Sequence, residues 1–249
     1  MLGFGTELND YWRSLIRILY PANCVLCRTS LVLEETYLCA TCSQKIEPLK
    51  APTCIRCAHP IPPYRSQRST CSQCRLERPY YDQGFALVPY QEPIKDIFHQ
   101  VKFQKKLWLL KIFFDRLQAT TFPQIENYEM IVPVPLDSKR ERERNFNQAL
   151  VIAQMLKRSN QKNAPQILNI IQKKKKTLPQ SQLKRDERLN NLEGAFSIKK
   201  NGMVRGKQVL LVDDIVTTGS TINECAKVLK ENGAERVDFF AVARSQFPS

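Results

Sequence analysis

The stretch that decides the fold is Gln208-Val-Leu-Leu-Val-Asp-Asp-Ile-Val-Thr-Thr-Gly-Ser-Thr-Ile222. Its apolar run, 209–212, is typical of a strand buried on both faces of a parallel sheet. Asp213 and Asp214 follow at the carboxyl end of this strand, where paired carboxylates can accept hydrogen bonds from vicinal sugar hydroxyls. Small polar residues then offer hydroxyl and backbone N–H groups to an anion, and a glycine permits close backbone approach. These candidate anion ligands are Thr217, Thr218, Gly219, Ser220 and Thr221.

A helix and another strand are predicted directly after this loop. Residues 222–232 favour a helix with Ser220 or Thr221 as its N-cap, and Glu224 fits a capping pattern. The N-terminus of that helix would point at a bound phosphate. Gly233 is a typical helix stop, and residues 237–242 form the next apolar run. The pattern predicts an α/β parallel sheet with a sugar-phosphate site, the alternative being a plain βαβ unit with an acidic turn.

Eight of the nine cysteines form four Cys-x-x-Cys pairs. The sequence has no apolar signal-peptide core near Met1 and no apolar run of transmembrane length, so we expect a cytoplasmic chain whose cysteine pairs bind metal. Two such pairs complete a closed tetrahedral shell, as in structural zinc sites. The spacing favours pairing of consecutive knuckles, and a cross-braced pairing stays open. The two predicted zinc sites are Cys24, Cys27, Cys39 and Cys42, and Cys54, Cys57, Cys71 and Cys74.

The chain divides into three predicted parts. Residues 1–20 carry an amphipathic helix pattern, residues 21–78 hold the zinc-binding cysteines, and residues 79–249 hold the sheet. His59 is interpreted as a solvated loop residue and not a metal ligand. Cys225 lies within the predicted helix after the loop and is interpreted as a small core residue.

In the third part, further strands and helices precede the decisive segment. Residues 80–90 predict a pair of strands and residues 92–119 predict helices, in which His99 is structural or solvated. Residues 130–135 predict a buried strand that ends in two prolines, followed by a strongly charged turn. Residues 144–148 open a further helix.

The chain from Cys24 to Arg244 resembles the ComF family, which combines cysteine knuckles with a phosphoribosyltransferase-like domain and is linked to DNA uptake in natural transformation. The segment 208–222 resembles the motif by which type I phosphoribosyltransferases bind 5-phosphoribosyl-1-diphosphate (PRPP). The resemblance implies a type I phosphoribosyltransferase-like parallel sheet with flanking helices. It also implies that Asp213 and Asp214 form the catalytic pair and hold the ribose hydroxyls, that residues 217–221 hold the 5-phosphate, and that Mg²⁺ binds with PRPP.

The same resemblance implies ligands for the diphosphate. Backbone groups of residues 134–137 and the side chains of Arg140 and Arg144 would face it, and the planar guanidinium of arginine suits phosphate oxygens. The alternative for these arginines is a solvated, charged helix start. The basic stretch 173–188 matches the loop that closes over PRPP, the alternative being a basic connector. The resemblance implies that Lys176, Thr177, Gln180 and Arg188 of this stretch contact PRPP, together with Asn191 just after it.

The positive charge is concentrated in one region. Residues 139–200 hold 16 Lys/Arg against 5 Asp/Glu, in a chain of formal net charge +14. Such an excess implies a polyanionic partner. Together with the family resemblance, this excess favours a PRPP-binding protein that handles single-stranded DNA, with Tyr64, Tyr80 and Tyr81 as candidate stacking residues. The resemblance also implies the DNA-uptake machinery as a further partner. The alternative is an active phosphoribosyltransferase, for which no segment identifies the acceptor.

Overall fold

A parallel sheet forms the centre of the structure. The computed structural model describes residues 22–32, 35–50, 52–65, 69–113, 125–159, 164–174, 194–199 and 202–245. Its strands are β1 (Gln83–Pro89), β2 (Met130–Pro133), β3 (Gln166–Ile167), β4 (Ile171–Lys173), β5 (Phe196–Ile198), β6 (Gln208–Val216) and β7 (Arg236–Arg244). Five of them pair in parallel in the order β1-β7-β6-β2-β3, and β4 and β5 form a separate antiparallel pair. The predicted parallel sheet is confirmed.

Helices flank this sheet. Within the described ranges they are α1 (Ala40–Gln44), α2 (Ser72–Glu77), α3 (Ile94–Phe103), α4 (Ser138–Arg144), α5 (Gln148–Ser159) and α6 (Ser220–Glu231). Two short 3₁₀ helices span Leu107–Leu110 and Ile125–Asn127. In the part of the chain that the structure describes, no helix is both long and apolar enough to cross a membrane.

Strand β6 lies in the middle of the sheet and is covered on both faces. Val209 and Leu211 lie in one hydrophobic core with residues of α6, and Leu210 and Val212 lie in the other with residues of α3 and α5. None of these four side chains is exposed to solvent. Neighbouring side chains of a strand point to opposite faces of the sheet. A continuous apolar run therefore predicts burial on both faces, and the structure confirms this prediction.

The structure corrects the prediction for residues 80–90. They form one strand, β1, and not a pair, because β1 pairs in parallel with β7 at the far end of the chain. Likewise, the predicted charged turn after residue 135 is the helix α4. The predicted amphipathic helix of residues 1–20 and residues 114–119 of the predicted helical stretch lie outside the described residues.

The start of α6 also differs from the prediction. The helix begins at Ser220, and its N-cap is Gly219 with φ of 87°, without a side-chain capping bond. A positive φ of this size suits glycine. Glu224 does not complete a capping box, and instead accepts a hydrogen bond of 2.8 Å from the N–H of Gly194 next to β5. Gly233 ends the helix with φ of 91°, as predicted.

The cysteine-rich region covers the outer edge of β1. The N–H of Leu49 donates to the carbonyl of Leu87 (2.8 Å), and the N–H of Gly84 donates to the carbonyl of Ile55 (3.1 Å). The backbones approach so closely here that a Cβ at position 84 would lie 2.4 Å from the Arg56 carbonyl oxygen. An edge strand with unpaired backbone groups invites association with other chains, and these contacts close it.

Candidate phosphate site and cysteine clusters

Two adjacent carboxylates lie near the carboxyl end of β6, where the sequence predicted them. The Asp213 carboxylate accepts a hydrogen bond of 2.8 Å from the N–H of Asp214, and the Asp214 carboxylate accepts one of 2.8 Å from the N–H of Ile215. Burial, and then the neighbouring Asp214 charge, raise the pKa of Asp213 well above its ordinary value of 3.8. The pair is therefore a poorly hydrated acceptor site, which suits hydroxyl donors or a cation.

A lysine from another element completes this acidic site. The Lys102 ammonium, on α3, lies 2.7 Å from Oδ2 of Asp214, and both side chains are largely buried. The same ammonium lies 5.6 Å from the centre of the Phe98 ring, which helps to hold it in place. Lys102 therefore gives Asp214 a fixed counter-charge. The sequence pattern predicted no role for Lys102.

The polar loop after β6 presents a run of backbone donors. In the described part of the chain, the N–H groups of Thr217, Thr218 and Gly219 donate to no protein acceptor. The hydroxyls of Thr218 and Ser220 lie 2.8 Å apart and hydrogen-bond each other. Successive amides that end in a left-handed glycine form a concave anion site, and the N-terminus of α6 adds its dipole. This geometry suits the predicted phosphate.

A buried arginine lies beneath this loop. Arg244, the last residue of β7, is 1% exposed. Its Nη1 donates to the carbonyl of Val216 (3.0 Å) and to that of Thr217, and its Nε donates to the carbonyl of Cys57 (2.9 Å). The guanidinium thus joins the loop to a cysteine knuckle. The sequence analysis noted Arg244 only as the end of the family resemblance.

Residues 134–137, the predicted diphosphate loop, follow β2 and lie beside the carboxylates, because β2 pairs in parallel with β6. Val134, however, has both backbone groups engaged: its N–H donates to Val212 (2.9 Å), and its carbonyl accepts from the Asn147 side chain (3.0 Å). Val134 therefore offers its N–H to the sheet and not to a ligand. Asp137, at the far end of the loop, lies 3.8 Å from the Lys173 ammonium on β4.

The predicted basic ligands are only partly described. Arg144 ends α4, directly after the predicted diphosphate loop, and is half-buried. The backbone of Arg140 lies in the same helix, and its side chain lies outside the described set. Lys176, Thr177, Gln180, Arg188 and Asn191 also lie outside the described residues, between β4 and β5.

The eight paired cysteines form two clusters with the predicted consecutive grouping. In each cluster the four sulfur atoms lie within 4.8 Å of one another. The Sγ atoms of Cys27 and Cys39 are 3.6 Å apart, and those of Cys57 and Cys71 are 3.7 Å apart. A tetrahedral zinc shell with Zn–S bonds of about 2.3 Å requires sulfur atoms separated by about 3.8 Å. Both clusters therefore fit zinc, and we name them the first (Cys24–Cys42) and second (Cys54–Cys74) cluster.

Within each cluster the pKa is lowered for two cysteines and raised for two: it is lowered for Cys24, Cys27, Cys54 and Cys71 and raised for Cys39, Cys42, Cys57 and Cys74. The Thr29 hydroxyl and amide beside the sulfur lower the pKa of Cys27 to about 6. Hydrogen bonds from the Cys57 thiol lower the pKa of Cys54 below its ordinary value of 9.0. Thiolates are the form that binds metal. Cys225 is buried in the core, as predicted. Cys54, Cys57 and Cys74 of the second cluster belong to that same core.

Three predictions for single side chains need comment. His59 is half-buried and so only partly solvated, and burial, with Arg244 nearby, lowers its pKa. His99 is exposed and packs on Phe103, with ring centres 4.6 Å apart, in keeping with a structural role. Tyr81 is 5% exposed and packs edge-on against Phe239, so it cannot stack on a nucleic acid base as predicted.

Two family models match separate parts of the chain. Residues 15–75 match the model of the double zinc ribbon domain, and residues 148–246 match that of the phosphoribosyl transferase domain. The first match covers both cysteine clusters and indicates two Cys₄ zinc-binding sites. The second covers the carboxylates, the polar loop and Arg244, but not Lys102.

Curated relatives match almost the whole chain. Competence protein F of Haemophilus influenzae is 31% identical over 229 residues, which cover 89% of this chain and 96% of that protein. DNA utilization protein YhgH of Escherichia coli is 28% identical over 230 residues, covering 90% and 98%. Competence protein ComFC of Bacillus subtilis is 27% identical over 242 residues, covering 89% and 95%.

Proposed function

Because the chain belongs to the ComF family, we propose that it binds PRPP at the loop after β6 and handles single-stranded DNA during natural transformation. We also propose that it acts in the cytoplasm, in contact with the DNA-uptake machinery. In this proposal residues 21–78 form the zinc-binding part and residues 79–249 the PRPP-binding part.

One observation carries the PRPP proposal. Three consecutive N–H groups, those of Thr217, Thr218 and Gly219, donate to no acceptor among the described residues, and they follow the carboxylates of Asp213 and Asp214 on the same strand end. Unpaired donors of this kind favour a phosphate, and a carboxylate pair favours vicinal hydroxyls. A ribose 5-phosphate group offers both within one small molecule.

The remaining ligand groups follow from this placement. Asp213 and Asp214 would hold the ribose hydroxyls, and residues 217–221 would hold the 5-phosphate. Arg140, Arg144, Lys176 and Arg188 would bind the diphosphate. Magnesium would enter with the diphosphate and neutralise part of its charge, and the oxygen donors of the carboxylate pair suit such a hard cation.

Exposed aromatic side chains support the nucleic acid part of the proposal. Tyr64 is 83% exposed, and Tyr80 is 46% exposed with the Lys227 ammonium 5.9 Å from its ring centre. An aromatic ring with a cation beside it suits a base and its phosphate in single-stranded DNA. The backbone N–H of Tyr80 donates to the Asn223 side chain in the first turn of α6 (2.8 Å), so this tyrosine lies beside the helix that begins at the phosphate loop, residues 217–219.

The retained carboxylate pair also favours a second candidate function, transfer of the phosphoribosyl group. In that reaction an acceptor nucleophile would bond to the anomeric carbon of PRPP as the bond to diphosphate breaks, and diphosphate would leave with the bonding electrons. Fixed positive groups such as Lys102 would contribute by positioning and electrostatic stabilisation.

Calorimetric titration of the zinc-loaded protein with PRPP and magnesium tests the shared proposal. We expect saturable binding that ribose 5-phosphate competes for. No detectable heat or competition would contradict a PRPP site. A screen for diphosphate release with candidate bases and amines then separates the two functions, because a protein that only handles DNA would bind PRPP without releasing diphosphate.

A further inference from the structure

We propose that Arg244 is a positioning residue that couples the second cysteine cluster to the phosphate loop, so that metal in this cluster sets the affinity of the loop for a phosphate ester. The inference rests on the proposed function, since it concerns the same loop. It assigns the main regulatory role to the zinc of the second cluster and not to the zinc of the first.

Two hydrogen bonds from Arg244 orient the peptide groups at the start of the loop. Arg244 draws the carbonyls of Val216 and Thr217 towards its guanidinium. In a trans peptide the C=O and the following N–H point in opposite directions. The two hydrogen bonds therefore turn the N–H groups of Thr217 and Thr218 away from Arg244, and these N–H groups belong to the unpaired donors of the anion site.

Arg244 also contacts the second cluster directly. The third hydrogen bond of Arg244 goes to the carbonyl of Cys57, which is itself a ligand of the second cluster. A buried guanidinium stays charged and needs negative charge or oriented dipoles around it. A zinc ion held by four thiolates would carry a net negative charge. This charge would balance the Arg244 guanidinium, because Cys57 both accepts the hydrogen bond and belongs to the cluster.

A second contact links the same two parts. The Tyr81 hydroxyl lies close beneath Gly219, since a Cβ on that glycine would lie 3.4 Å from it. Tyr81 itself shares a core with Cys54, Cys57 and Cys74 of the second cluster. Displacement of this knuckle would therefore disturb the loop from two sides.

The first cluster has a different neighbour. Val25 and Leu26, within its first knuckle, pack against the other core of the sheet, and the Gln100 side chain on α3 donates to the carbonyl of Val25 (3.2 Å). The contacts of the first cluster thus lead to α3, whose Lys102 pairs with Asp214, while those of the second lead to the backbone of the phosphate loop. This asymmetry predicts that the second metal affects the loop more than the first does.

Calorimetry on three full-length, zinc-loaded proteins tests the arginine. We compare the wild type with Arg244→Lys, whose single ammonium cannot reach three carbonyls, and with Arg236→Lys, a matched change at the opposite end of β7. We expect Arg244→Lys to weaken PRPP binding about tenfold or more, equal to ~1.4 kcal/mol, and Arg236→Lys to leave it unchanged. Equal affinity in all three proteins would overturn the proposal.

A site-resolved alkylation experiment tests the coupling itself and does not depend on the folding of a variant. The wild type is exposed to a zinc chelator and a thiol-alkylating reagent, and the modified cysteines are mapped by mass spectrometry. By reciprocity of linkage, PRPP should raise the zinc affinity of Cys54–Cys74 by the factor by which zinc raises PRPP affinity. PRPP should therefore slow the modification of Cys54–Cys74, and protect Cys24–Cys42 less. Equal protection of both clusters, or none, would refute the coupling.

Hydrogen exchange separates failure of this inference from failure of the proposed function. If the wild type binds no PRPP, the proposed function fails, yet the amides of Asn223 and Ser245, which donate to the carbonyls of Gly219 and Val216 at the two ends of the loop, still report on the loop. We expect these two amides to exchange measurably faster in Arg244→Lys and after zinc removal, with the central β6 amides unchanged. Unaltered exchange at Asn223 and Ser245 in both cases would disprove the role of Arg244.

Discussion

At the scale of single residues, two neighbouring carboxylates have different surroundings. Asp214 has a fixed counter-charge in Lys102, while burial and the Asp214 charge raise the pKa of Asp213. Folding therefore disfavours the charged form of Asp213. A shifted carboxyl beside a second carboxylate at a strand end is typical of a binding site.

We expect the double variant Asp213→Asn with Asp214→Asn to abolish PRPP binding while the protein stays folded. Amide groups accept hydrogen bonds from ribose hydroxyls less strongly than carboxylates do, because charge-assisted bonds are about twice as strong. Calorimetry measures the binding and circular dichroism the folding. Glu231→Gln with Glu235→Gln is the matched control, and unchanged affinity in the Asp double variant would assign the carboxylates to the turn.

We expect Asp213→Asn alone to raise the melting temperature at neutral pH. A carboxyl whose pKa is raised by folding stabilises the protein below its ordinary pKa of 3.8, and this contribution is lost as the pH rises through the raised value. The variant removes the cost of the charge, and 1 kcal/mol corresponds to roughly 2–4 °C in a chain of this size.

Thermal unfolding between neutral and acidic pH checks this prediction. The difference between the variant and the wild type should shrink as the pH falls towards 3.8, because Asp213 is then protonated in both the folded and unfolded states. A difference that stays constant with pH, or a variant that is less stable at neutral pH, would show that the Asp213 charge is well solvated. Glu235→Gln should show no such trend.

At the scale of elements, the two cysteine clusters stabilise different surfaces. Cys54, Cys57 and Cys74 belong to the core beneath β6 and α6, whereas the first cluster packs on the opposite core through Val25, Leu26 and Leu38. The second cluster is thus part of the interior of the sheet domain. Removing its ligands should cost more than removing those of the first.

We expect the purified protein to carry two zinc ions per chain, since eight sulfur atoms form two tetrahedral sets. Elemental analysis measures the ratio. Cys24→Ser with Cys27→Ser should retain one zinc and a folded sheet, while Cys54→Ser with Cys57→Ser should lose one zinc and markedly lower the melting temperature. A reproducible ratio near zero, or a single zinc with four thiols open to alkylation, would rule out two sites.

The element β6-loop-α6-β7 could be predicted from the sequence because its pattern is local. Its apolar runs, its carboxylates and Gly233 follow one another along the chain, and each has its own physical reason. The prediction of Ser220 or Thr221 as the N-cap was wrong, because the N-cap is Gly219, which has a positive φ and no capping side chain. Residues 80–90 were misjudged because their partner, β7, is remote in sequence.

Residues that tertiary packing brings to the site were not predictable in this way. Lys102 reaches Asp214 from α3, and Arg244 reaches the loop from the end of β7. Neither belongs to the polar motif, and a charged residue after an apolar strand has many uses. The single available signal for Arg244 was a cation at the carboxyl end of a buried strand, the edge at which parallel sheets bind ligands.

At the scale of the whole molecule, the positive charge is large and concentrated. Much of the net charge of +14 lies in residues 139–200. Of the four consecutive lysines from Lys173, the first is largely buried and lies 3.8 Å from the Asp137 carboxylate. The following lysines are therefore the better candidates for contact with a polyanion.

We expect the protein to bind single-stranded DNA with little sequence preference and a steep salt dependence, because counterion release should dominate. Changing Lys174, Lys175 and Lys176 to Gln should weaken binding and flatten the salt slope by roughly 0.7 for each lost phosphate contact. Fluorescence anisotropy over a range of salt concentrations measures both. Changing Lys45, Lys50 and Lys111, which lie outside residues 139–200, to Gln is the control for total charge.

Two outcomes would count against DNA handling. Binding that is undetectable at low salt would remove the nucleic acid partner. A triple lysine variant with an unaltered salt slope but greatly reduced PRPP affinity would assign this basic run to the nucleotide-sugar site, and phosphoribosyl transfer would become the leading function.

The pairing of β1 with β7 has a consequence for biosynthesis. The first strand of the sheet has its strand partner in the last described strand, and the zinc-binding part pairs with the outer edge of β1. During translation, β1 must therefore wait on the ribosome until residues 236–244 have emerged. A premature stop codon shortly before Arg236 would remove the strand that lies between β1 and β6, so the loss of a few residues would split the sheet and cost the cell the entire protein.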